Sequence, residues 1–228
     1  MITVVGIGAD GWDGLAPASR RAIAAAEVLV GSRRQLDLVP DPVPDPEGGG
    51  TRAAGTPSRV VLPSPLLPKL EPLLESLAGR EVCVLASGDP MFYGIGSTLV
   101  RLLGPDRVRV LPHVSSVSLA CARLGWPVEQ VEVVSAVGRP LDALRPVLAP
   151  GRRVLVLGSS PEAVTRLLAE AGYAASRVTV LSDLGAATES VRPAAQAGPT
   201  RLHVIAIECA LDPGAEPLPR VPGLPDDA

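Results

Sequence analysis

The chain has 228 residues, 46% of them hydrophobic, with a formal net charge of −3 at pH 7 and an isoelectric point near 5.5. That much apolar material builds a core in one large domain or in two of about 110 residues each. The slight negative charge gives no general attraction to nucleic acid or to an anionic membrane, and no window reaches the apolar length of a spanning helix.

In chain order, Ile2 to Ile7 reads as a strand at once, without the basic and apolar regions of a secretory signal, so a cytoplasmic protein is expected. A helix from Pro17 to Ala26, a strand from Val28 to Val30 and a helix from Ser32 to Leu38 follow. After the Pro/Gly-rich segment Pro40 to Ser58, expected to be a mobile surface loop, the rhythm resumes. It gives a strand Arg59 to Leu62, a helix from about Ser64 to Ala78, the strand Val82 to Ser87, a helix Tyr93 to Leu103 and the strand Val108 to Leu111. Pro68 and Pro72 leave the start of the third helix open, since an internal proline removes a hydrogen bond. A second set comprises helix Ser115 to Leu124, strand Val131 to Ser135, helix Leu141 to Leu148, strand Arg153 to Leu157, helix Pro161 to Ala171 and strand Val178 to Leu181. Two last strands, Glu189 to Arg192 and Leu202 to Glu208, lack an intervening helix, so this half should end in antiparallel pairing. The expectation is an α/β protein with two different sheets: an N-terminal domain 1–112, a C-terminal domain 113–210 and a loose tail 211–228.

Cys83, Cys121 and Cys209 are odd in number, far apart and set among apolar residues, which suits buried thiols better than disulfides or metal ligands. His113 and His203 have no ligand neighbour at useful spacing, so no metal is expected. His113, a lone histidine at a strand end, reads first as a hydrogen-bonded structural residue.

Two loops carry chemistry. Gly6-Ile7-Gly8-Ala9-Asp10-Gly11 fits the G-x-G-x-x-G spacing after the first strand, and Arg33-Arg34 follow the second strand, which together would suit an NADP-dependent reductase. Against that reading, Trp12 to Ala16 intervene before Pro17 starts the helix, and Gly31-Ser32 stand where an acidic residue should close the second strand. The second loop follows the strand Val82 to Ser87: Gly88 and Gly94 leave the backbone bare, Asp89-Pro90 makes a turn and supplies a carboxylate, and Met91-Phe92-Tyr93 add apolar bulk. Such a loop can seat a small ligand that is partly charged and partly flat, or Asp89 can serve only as a helix N-cap.

Taken together, the strings VVGIGADGWDGL, LASGDPMFYGIG, LPHVSSVSLACARLGWP and VVSAVGRPLDAL resemble the tetrapyrrole (corrin/porphyrin) methyltransferase family over residues 1 to about 210. The resemblance implies two unlike α/β domains, S-adenosylmethionine held folded in the cleft between them, and a homodimer. It further implies methylation of a precorrin (precorrin-6Y or its cobalt form) at C5 in cobalamin biosynthesis, with methylation at C15 and decarboxylation left to a separate subunit. By position it places Gly88, Asp89, Phe92, Ser115, Ser116, Leu157, Gly158, Gly185 and Ala206 against the cofactor. Gly8, Arg33 and Arg139 are the expected substrate contacts, the arginines because bidentate guanidinium contacts orient carboxylates. Asp10 is the expected catalytic group, a polar side chain near the ring, unless it is only a turn former. Ser115 and Ser116 suit helix capping equally well. Many family members carry proline where this chain has Ala9, and some carry an acidic residue where it has Gly31-Ser32, so a base at that place does not transfer. A non-catalytic ligand-binding protein of the same fold is the remaining alternative.

Overall fold

The structure, a computed structural model, describes residues 1–46, 56–198 and 202–217. The chain divides into two compact units, Met1–Ser115 and Ser116–Ala228.

The first unit holds β1 (Ile2–Ile7), α1 (Pro17–Ala25), β2 (Val28–Gly31), α2 (Arg33–Asp37), β3 (Ser58–Val61), α3 (Leu67–Ser76), β4 (Val82–Ser87), α4 (Ile95–Leu103) and β5 (Val108–Leu111). Its strands form one sheet in the order β3-β2-β4-β1-β5, with every pairing parallel. Period-two alternation divides the sheet's apolar residues between two cores. Val5 and Ile7 of β1, Leu29 of β2 and Cys83 and Leu85 of β4 pack with Ile23 of α1 and Leu36 of α2 on one face. Val4, Val28, Val30, Val84 and Ala86 pack with Leu70 of α3 and Leu99 of α4 on the other. Both faces being covered, the central strands read as continuous apolar runs.

The second unit holds α5 (Ser116–Leu124), β6 (Val131–Ser135), β7 (Arg153–Leu157), α6 (Pro161–Glu170), β8 (Arg177–Ser182), β9 (Ser190–Pro193) and β10 (His203–Glu208). The strand order is β6-β7-β10-β8-β9. Only β6 and β7 run parallel; β10 pairs antiparallel with both β7 and β8, and β9 antiparallel with β8. Val154, Val156, Ile205 and Ile207 face Val164, Leu167 and Leu168 of α6, while Leu155, Val204 and Ala206 face Val117, Ala120 and Cys121 of α5.

Four local departures from the sequence reading have physical causes. Leu141–Val147 is a 3-10 helix rather than an α-helix, and Pro146 inside it has no N–H to continue an α ladder. The third helix starts at Leu67, which puts Pro68 in its first turn, where a missing N–H costs nothing. Val43 is 1% exposed in the first core, and Arg59 donates to the carbonyls of Leu36, Val39 and Pro40, so the stretch 40–46 of the expected surface loop is anchored. Residues 47–55 of that segment lie outside the described residues. The expected tail also begins docked: Leu211 packs on the α6 core, and Asp212 accepts from the Ala175 N–H and donates its own to the Gly172 carbonyl. Residues 218–228 lie outside the described residues.

Candidate functional site

β1 and β4 are adjacent and parallel, with Gly6 level with Ala86 and Ile7 level with Ser87. The chain leaves β1 over the α1 face towards β2 and leaves β4 over the opposite, α4 face towards β5. Adjacent strands whose connections depart in opposite directions open a crevice beyond their carboxyl ends, the place where open α/β sheets bind ligands. The two loops singled out in the sequence flank that point.

Three glycines make the crevice narrow. A Cβ on Gly6 would lie 2.0 Å from the Gly88 carbonyl oxygen and 2.6 Å from the His113 nitrogen, and the His113 N–H donates to that carbonyl. A Cβ on Gly8 would lie 2.4 Å from Asp10 Oδ1 and 2.6 Å from His113 Nε2. A Cβ on Gly14 would lie 1.8 Å from Asp10 Oδ2. At Gly8 and Gly14 the space is filled by one pair of side chains: Asp10 Oδ1 and His113 Nε2 stand 3.2 Å apart, both partly shielded from solvent.

The glycine run does not make a dinucleotide site. It passes into a 3-10 turn, Gly11–Gly14, and α1 opens only at Pro17, so no helix N-terminus sits inside the run. Trp12 leans on the first core and carries the Arg20 guanidinium over its ring.

In the β4 loop, Gly88 takes φ +58°, a conformation that costs an L side chain energy. Asp89 caps the loop itself, its Oδ1 accepting from the Met91 N–H at 2.8 Å, whereas α4 is capped by Gly94. Pro90 packs so closely that a Cβ on Gly94 or Gly96 would meet its carbonyl oxygen at 2.5 or 2.7 Å. The folded loop leaves Met91, Phe92 and Tyr93 between 40% and 48% exposed, with the last two rings edge to face. Beside it, Ser87 Oγ accepts from Arg34 Nη2 at 2.9 Å and Gln35 Nε2 at 3.0 Å, which leaves the Ser87 hydroxyl proton to point away from both. Arg33 is exposed at the start of α2, and Ser115 is half-buried at the end of the unit.

In the second unit, Ser116, Val137, Leu157, Gly158, Ser159, Ser160, Leu202 and His203 line a cavity of about 450 Å³. Its wall combines aliphatic side chains with serine hydroxyls and suits a flat heterocycle bearing hydroxyl groups. A Cβ on Gly158 would strike Val137, and His203 Nε2 lies 2.8 Å from the Ser159 carbonyl oxygen. Gly185 belongs to a separate turn: its N–H donates to Glu189 Oε2 at 2.7 Å, and Arg123 grips the same carboxylate with Nε and Nη2. The Arg123 guanidinium first, and then the Gly185 N–H, hold the Glu189 carboxyl below the usual carboxylate range. Ala206 lies mid-strand, 1% exposed, with its side chain spent on the α5 core. Arg139 is exposed in the turn after β6.

Eight of the expected residues therefore fall into two groups. Gly8, Asp10, Gly88, Asp89 and Phe92 gather around the β1–β4 crevice, and Ser116, Leu157 and Gly158 gather around the second unit's cavity. His113 as the partner of Asp10 escaped the sequence, because nothing local joins residues 103 positions apart; the order of the strands does. Arg123 and Glu189 gave no signal either. Among the described residues no group of three or more His, Cys, Asp or Glu side chains could hold a metal, and no helix is long and apolar enough to cross a membrane.

Comparison with known proteins agrees with this architecture. The family model of tetrapyrrole (corrin/porphyrin) methylases matches residues 1–197. The chain is 46% identical over 195 residues to a precorrin-6Y C(5,15)-methyltransferase [decarboxylating] of Mycobacterium tuberculosis, covering 84% of this chain and 46% of that protein. It is 36% identical over 142 residues to a cobalt-precorrin-7 C(5)-methyltransferase of Salmonella typhimurium, covering 61% of this chain and 62% of that one. The crystal structure of a precorrin-6Y methylase from Archaeoglobus fulgidus superposes with a TM-score of 0.64 at 28% identity, over 92% of this chain and 99% of that one. The chain spans about half the length of the Mycobacterium relative. Two α/β units, the loops at the crevice and a family match across most of the sequence lead to one conclusion: the chain belongs to the tetrapyrrole (corrin/porphyrin) methylase family.

Proposed function

We propose that the chain is an S-adenosylmethionine-dependent C-methyltransferase that methylates a precorrin at C5 in cobalamin biosynthesis. The match that carries this is the 46% identity to a precorrin-6Y C(5,15)-methyltransferase, and the C5 position draws support from the relative named for C(5) alone. The reductase alternative loses its support with the late start of α1.

S-adenosylmethionine supplies an electrophilic methyl group for in-line transfer to carbon. No side-chain nucleophile is then required, and the residues have to bind, orient and exclude water. Gly88, Asp89, Phe92 and Ser115 on the first unit are the proposed contacts for the amino-acid end. Ser116, Leu157 and Gly158, which line the cavity, and the backbone of Gly185 are those for the nucleoside. Since the Gly185 N–H is held by Glu189, its carbonyl is the group left to bind. Ala206 contributes through packing under the site. Gly8, Arg33 and Arg139 are the proposed tetrapyrrole contacts, the arginines through its peripheral carboxylates, and Asp10 is a polar group near the ring. The proposal includes a cytoplasmic homodimer working beside a separate subunit that methylates C15 and decarboxylates. The three buried free thiols accord with a reducing compartment.

Incubation with the precorrin and methyl-labelled S-adenosylmethionine should attach one methyl group, at C5, without release of carbon dioxide. Calorimetry showing no binding at millimolar S-adenosylmethionine would sink the proposal.

A further inference from the structure

We propose that His113 is the proton acceptor of the methyl transfer and that Asp10 acts on it as a positioning residue. The inference rests on the C-methyltransferase reading and adds a residue to it.

The histidine is built into the ligand-binding edge of the first sheet. It lies two residues beyond β5, its backbone N–H is tied to the Gly88 carbonyl, and its ring is only 14% exposed. Gly6, Gly8 and Gly14 each lack the Cβ that would displace this histidine or its carboxylate partner. Asp10 Oδ1 stands 3.2 Å from His113 Nε2, and in this proposal the carboxylate holds the ring proton on Nε2 and leaves Nδ1 as the accepting atom. A carboxylate that fixes the tautomer and orientation of a basic imidazole is the arrangement of general-base catalysis.

The step balances without another reactant. The enamine carbon C5 uses its π pair to form the new C–CH₃ bond as the S–CH₃ bond breaks, and neutral S-adenosylhomocysteine leaves. The ring system, then cationic, regains its conjugation when the C5–H bond breaks. That electron pair returns to the macrocycle, and the proton passes to His113 Nδ1 and on to solvent.

The test pairs kinetics with spectroscopy. His113→Gln should bind S-adenosylhomocysteine within about twofold of wild type yet lose on the order of 100-fold or more in kcat. His113→Gly should regain part of that loss when imidazole is added. In ¹⁵N-histidine spectra of the full chain without ligand, which has two histidines to assign, His113 should carry its proton on Nε2, and Asp10→Ala should abolish that preference. A kcat within about threefold of wild type in His113→Gln, or a ring protonated on Nδ1 in the wild type, overturns the inference. If both variants fail to fold, the wild-type spectrum decides. Wild-type protein that methylates no precorrin refutes the parent reading instead, a separate result.

Discussion

At Gly8 a single methyl group is enough to disturb the site. Gly8→Ala would drive a Cβ into Asp10 Oδ1 and His113 Nε2, so one of the pair must move. The variant is expected to lose about 1–3 kcal/mol of stability by denaturant titration, as overpacked sites do, and to lose methyl transfer while it remains folded. Asp89→Ala removes the acceptor for the Met91 N–H. Its expected signature is weaker S-adenosylmethionine binding by calorimetry with an unchanged melting temperature, because the capped loop is exposed. The thiols behave differently. Burial pushes Cys83 up to about 12, and raises Cys121 and Cys209 as well. Because the folded state holds Cys83 protonated, its stabilising effect is complete below the ordinary thiol range and is lost as pH rises from about 9 through 12. Native protein at pH 8 should show no thiol reactive to a bulky disulfide reagent, and denatured protein three.

Element by element, the physics separates what the chain reveals locally from what it conceals. All ten strands of the described residues were legible, most of them as short β-branched runs bounded by turn residues; the second half does end in antiparallel pairs, with β8 lying between β9 and β10. The 3-10 geometry of Leu141–Val147 was foreshadowed only by Pro146. Strand order was hidden, and with it the meeting of Asp10 and His113, since pairing across a parallel sheet depends on crossover connections rather than on local pattern. The clasp on the β8–β9 turn was hidden for the same reason: Arg123 comes from α5, Glu189 from the end of the turn. That clasp should respond to acid. With the carboxyl held low by Arg123, its stabilisation is present above the ordinary carboxylate range and is lost as pH falls through the lowered one. Glu189→Gln should remove this acid dependence from the melting curve and raise the apparent Kd for S-adenosylhomocysteine several-fold.

The whole molecule is two units with separate cores, joined by one passage of the chain between Ser115 and Ser116. Leu85→Ala in the first unit and Leu168→Ala in the second each delete a fully buried side chain, at an expected cost of about 2–5 kcal/mol. Hydrogen exchange should show amide protection falling in the strands of whichever unit carries the change. The second sheet also ends in a strand poorly made for recruitment. β9 is four residues long, mostly exposed, and finishes with Arg192 and with Pro193, which has no amide hydrogen to offer. A newcomer lying along that border would find a charge and a missing rung, which disfavours fibrous growth by sheet extension at that margin.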